Sequence, residues 1–96
     1  MVFYQMVIEE FCGYGVFGYG ATPIEAILEC EKAYEKLAKS YRKYWRGDED
    51  WSTFESAIIY FGAYVKPITI PSFAIYGQEN RISEDEILTI LKKERK

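Results

Sequence analysis

At 96 residues and 11.2 kDa, with 49% hydrophobic and 28% charged residues, the chain has material for one core and one domain, residues 1–96. The apolar share is too high for a disordered chain, and the charged share is too high for a membrane-embedded one. Twelve Lys and Arg against fifteen Asp and Glu give a net charge of −3, which excludes a generally basic coat for nucleic acid.

Histidine is absent, and with it the commonest general base, the commonest metal ligand and every Ser–His or Cys–His nucleophile. The opening residues lack a basic leader pattern, and residues 56–65, the longest nearly uncharged stretch, are about half of a bilayer span. Two cysteines are no disulfide framework. A chain of this kind is expected in the cytoplasm, with no membrane contact. Few Asn and Gln, and Glu well ahead of Asp, lean towards a thermophilic composition.

In chain order, residues 3–10 alternate as a strand. Tyr4, Met6, Ile8 and Glu10 form its more apolar side, and Phe3, Gln5, Val7 and Glu9 the other. A glycine-punctuated run follows, read as a turn over residues 12–15 and a short strand over residues 16–19, completing an N-terminal hairpin. Thr22-Pro23-Ile24-Glu25 is a helix start with an N-cap, a first-turn proline and a capping-box glutamate. From there Ile27, Cys30, Tyr34, Leu37, Tyr41 and Tyr44 recur at three- and four-residue spacing. Acids precede bases along this long helix, as its dipole favours, and Gly47 supplies a stop.

After an acidic connection, Ser52-Thr53-Phe54-Glu55 forms a second capping box. A short helix to about Phe61, stopped by Gly62, is preferred over a strand across residues 52–62. Residues 64–70 then read as a strand that Pro67 confines to an edge or a bulge, and residues 73–76 as a shorter one. Ser83-Glu84-Asp85-Glu86 opens a C-terminal helix, with Ile82 and Ile87 placed as a hydrophobic staple. The expected architecture is α+β: a small antiparallel sheet, made of the N-terminal hairpin plus two later strands. A long helix, a short helix and a C-terminal helix cover one of its faces.

The glycines match a dinucleotide fingerprint at Gly13-x-Gly15-x-x-Gly18, and Cys12-Gly13-Tyr14-Gly15 looks like the phosphate loop of nucleotide-binding regulatory domains of ion channels. That motif needs a buried parallel strand before it and a helix beginning at its glycines. Here Glu9-Glu10 would occupy the strand, and the helix cap comes four residues after Gly18. No cofactor is therefore expected. Cys12 and Cys30 have no neighbours at metal spacing, so no metal is expected and buried thiols are the default. Among fifteen acids none is paired across a cleft by its spacing, so no catalytic residue is named.

Two surfaces remain. Lys36, Lys39, Arg42, Lys43 and Arg46 interleave with Trp45 near the end of the long helix, a charge-and-ring combination suited to single-stranded nucleic acid. Asp48-Glu49-Asp50 follows directly and opposes phosphate. Aromatics make up 18% of the chain, with nine Tyr, six Phe and two Trp, more than one small core hides. Tyr and Trp are enriched where proteins meet, and Tyr14, Tyr19, Tyr60, Tyr64 and Tyr76 lie on or near strands whose edges invite pairing.

The segment Gly20-Ala21-Thr22-Pro23-Ile24-Glu25-Ala26-Ile27 is similar to the start of HicB-type antitoxins, in which a Gly-x-Thr-x-x-Glu-Ala run opens a helix after an antiparallel sheet. The resemblance covers about a third of the chain, rests mostly on a capping box, and does not continue from Asp50 onward. The expectation adopted from the residues is a small non-enzymatic protein-interaction domain, homodimeric, acting by binding another protein. An accessory or inhibitory role suits it, and its size and acidity suit a viral setting. The alternative is a nucleic-acid-associated protein using the basic-aromatic helix end.

Overall fold

The structure, a computed structural model, describes residues 2–11, 14–41, 53–69, 74–75 and 81–95. Along the chain these form β1 (Val2–Phe11), β2 (Tyr14–Gly20), α1 (Pro23–Tyr41), α2 (Phe54–Phe61), β3 (Ala63–Thr69), β4 (Ala74–Ile75) and α3 (Glu84–Glu94). The strands make one antiparallel sheet in the order β2-β1-β3-β4.

Register sorts the side chains. Met6 lies between Gly18 and Val65, and Ile8 between Val16 and Ala63, all on one face. Val7 lies between Phe17 and Tyr64, and Gln5 between Tyr19 and Lys66, on the other. The first face carries the core: Met6, Ile8, Val16 and Val65 pack with Ala26, Ile27, Cys30, Tyr34 and Ala38 of α1, Phe54, Ala57 and Ile58 of α2, and Ile87 and Leu91 of α3. All three helices thus lie on one side of the sheet, giving the expected α+β architecture.

The expected second strand of the hairpin is present and longer than residues 16–19, with Tyr14 and Gly15 in strand where a turn was expected. β2 begins at Tyr14, so Gly15 is inside it, and the strand runs on to Gly20. Pairing with β1 at both ends sets this extent, and the helix above uses two of the glycines. A Cβ on Gly18 would lie 2.2 Å from the backbone nitrogen of Cys30, and one on Gly20 would lie 2.4 Å from Cβ of Glu25. These two glycines let α1 rest directly on the strand.

The stripe of α1 is also displaced. Ala26, Cys30, Tyr34 and Ala38, with Ile27, are fully buried, while Leu37 is only partly so. Alanines had escaped notice because they add little hydropathy, yet a small side chain is what a close helix–sheet contact needs. Tyr44 and the Gly47 stop lie outside the described residues.

Helix starts follow the expected chemistry with small shifts. Thr22 Oγ1 accepts the Glu25 N–H at 3.3 Å, and the Glu25 carboxylate accepts the N–H of Ala21 at 2.8 Å, one residue earlier than in a standard box. The α2 cap is Thr53 rather than Ser52: Ser56 N–H donates to Thr53 Oγ1 at 3.1 Å, and Thr53 N–H donates to Ser56 Oγ at 3.0 Å. Gly62, at φ 82°, ends α2, as expected. Ser83 caps α3.

Pro67 sits inside β3 without breaking the β1 ladder. Val65 exchanges both backbone hydrogen bonds with Ile82, at 3.0 and 2.7 Å, so its polar groups point away from β1. Alternation gives Pro67 the same outward orientation, and the N–H it lacks is one β1 does not need.

Candidate protein-binding surface

The helix-free face of the sheet is made of rows set by strand pairing. Phe17, Val7 and Tyr64 cross it side by side, then Tyr19, Gln5 and Lys66, then Phe3 and Ile68. Among the described residues no helix covers this face. Phe17 is 46% and Tyr19 54% exposed, whereas Val7, flanked by two aromatic neighbours, is only 5% exposed and stands outside the main core. The result is a second apolar cluster on the open side.

Neighbours hold these side chains in place. Gly15 leaves room for the Phe17 ring, which would come within 2.7 Å of any Cβ there. Gln5 Nε2 donates to Tyr19 Oη at 2.9 Å, tying β1 to β2 across the face. The guanidinium of Arg81 stacks 4.1 Å from the Tyr64 ring centroid, and the Lys66 ammonium stands 5.7 Å from it. An aromatic surface therefore carries cationic groups at its β3 side.

Of the five tyrosines singled out by sequence, Tyr19 and Tyr64 share this face. Tyr60 does not: it projects from α2 at 57% exposure beside Ile59, with its ring edge-on to Phe61 at 4.8 Å. Tyr14 belongs to β2, but its side chain, like all of Tyr76, lies outside what is described. Sequence reasoning missed Phe3, Val7, Phe17, Lys66, Ile68 and Arg81. The signal available was the two-residue alternation of Gly15, Phe17 and Tyr19, obscured by assigning Gly15 to a turn.

The basic set is only partly visible. Lys36 and Lys39 are exposed on α1, and Arg42, Lys43, Trp45 and Arg46 lie outside the described residues. Lys36 borders a groove between β2 and α1 that it shares with Glu29 and Lys32, so its surroundings are mixed in charge.

Other reactive groups are committed to structure. Cys30 is fully buried, its thiol facing the Val16 carbonyl at 3.8 Å, and burial, helped by the nearby Glu31 charge, pushes it up to about 12. Cys12 lies outside the described residues. Glu31 of α1 and Glu55 of α2 converge on one cation, but it is Arg95 at the end of α3, clasping the three helices together. Both carboxylates help hold the Arg95 guanidinium above its ordinary value. Among the described residues no group of three His, Cys, Asp or Glu could hold a metal ion, and no helix is long and apolar enough to cross a membrane.

No protein-family model, curated protein or solved structure matches the chain.

Proposed function

We propose that this chain is a small non-enzymatic protein-interaction domain, a homodimer that binds another protein through the helix-free face of its sheet, in an accessory or inhibitory role. One observation carries the reading. Six apolar or aromatic side chains, Phe3, Val7, Phe17, Tyr19, Tyr64 and Ile68, are ordered on a face that no helix covers among the described residues. Ordered aromatic surface of this kind supplies contact area at low entropic cost. Lys66 and Arg81 beside Tyr64 favour a partner whose apolar patch has an acidic rim.

The test is retention of the partner by immobilised protein at low and high salt, with labelled oligonucleotides as a parallel ligand. Tyr19→Ala and Tyr64→Ala are expected to weaken retention at either salt, while Lys39→Ala and Lys39→Glu leave it intact. Retention indifferent to the tyrosine changes would contradict the reading. So would oligonucleotide binding that falls steeply with salt and is lost in the lysine variants.

A further inference from the structure

The two sides of the sheet are built differently. Beyond β3 the outward backbone groups are used, by Ile82 at Val65 and by β4 at Thr69, and Pro67 between them offers no N–H. β2, the other edge, is Tyr14-Gly-Val-Phe-Gly-Tyr-Gly: seven residues with no charge and no proline. Edge strands normally carry such residues to prevent pairing. β2 lacks them, and among the described residues no strand pairs with its outer side, which leaves an open template.

Which backbone groups it offers follows from the ladder. Val65 points away from β1, so Tyr64 and Lys66 are the residues that bond Val7 and Gln5. Met6 and Ile8 then bond Gly18 and Val16 on the other side, which leaves the N–H and C=O groups of Gly15, Phe17 and Tyr19 facing outward. Phe17 is the midpoint of this free row.

The flank of α1 above the edge carries both signs of charge, with Glu29 towards one end and Lys36 nearer the middle. Glu29 borders Tyr19 at one end of the groove, Ser40 borders Gly15 at the other, and Phe17, Ala33 and Lys36 line both halves. Lys32 is already held by Glu29 at 2.9 Å.

We infer that two copies of this chain pair antiparallel through β2 about a two-fold axis at Phe17, joining their sheets into one and setting Glu29 of each α1 beside the partner's Lys36. The inference rests on the homodimeric reading above and specifies its interface. In this register Phe17 exchanges hydrogen bonds with its own counterpart, and Gly15 with Tyr19. An uncharged strand meets an uncharged strand, and the helices meet acid to base. The helix-free faces become continuous, with both Phe17 rings at the centre.

The test is sedimentation equilibrium of the full chain with four variants, each checked for an unchanged circular dichroism spectrum. Glu29→Lys and Lys36→Glu are each expected to weaken the dimer about tenfold or more, and the double swap to restore it. Phe17→Lys, placing like charges on the axis, is expected to give monomer; the charge-swap pair keeps the test decisive if that variant does not fold. A dimer indifferent to the single reversals, or not restored by the swap, overturns this interface while leaving the homodimeric reading in place. A wild-type chain that remains monomeric overturns both.

Discussion

Gly18 and Cys30 meet at the contact between β2 and α1, and each is constrained by the other. An added methyl on Gly18 would also lie 2.3 Å from the Ala26 carbonyl oxygen, so helix or strand would have to move. Gly18→Ala is expected to destabilise the fold by about 2–3 kcal/mol, while Gly15→Ala, which meets only the swinging Phe17 ring, costs well under half of that. Urea midpoints of the two variants check this. The Cys30 thiol stays protonated to about 12 against an ordinary value of 9.0. Below the ordinary value, folded and unfolded chains carry the same proton. Above it the unfolded chain loses its proton first, so stability falls as pH rises towards the folded value. A Cys30→Ala variant is expected to lose less stability between about pH 9 and 11 than the wild type does. The buried cysteine was legible from its helical spacing. The purpose of the glycines was not, because what occupies the space of a missing side chain is a residue far along the chain.

Among the elements, helices were more legible than strands. Caps are local chemistry, so Thr22, Ser83 and Gly62 stand where the residues placed them, and the α2 cap is Thr53, one residue later than expected, because Ser56 completes the box with it in both directions. Thr53→Ala removes the acceptor for the Ser56 N–H and is expected to cost about 1 kcal/mol, seen as a lower thermal midpoint with the core unchanged. Strand extents depend on pairing instead. β2 is held at both ends by β1, through Tyr4 with Gly20 and Phe11 with Tyr14, and local glycine content argues against a strand that these partners enforce. Likewise α1 is centred on Ala26, Cys30, Tyr34 and Ala38 because it must lie close to Gly18, a requirement its own hydropathy does not encode. The Arg95 clasp joins residues 31, 55 and 95, a sequence separation that no local pattern spans.

For the whole molecule, the aromatic excess correctly signalled surface rings, but only the sheet shows which of them belong together. Tyr19 and Tyr64 fall on one face with Phe17 and Val7 because β1 separates their strands by one position on each side. Tyr60, equally exposed, is on a helix elsewhere. Among the described residues, a helix-free face with exposed aromatics and an uncharged edge at β2 are the features on which the proposed association rests. The most direct measurement is the solution mass of the wild-type chain by sedimentation equilibrium across a wide concentration range. A mass of twice 11.2 kDa, dissociating only on dilution, is the expected result. A mass that stays at 11.2 kDa at every concentration would contradict it.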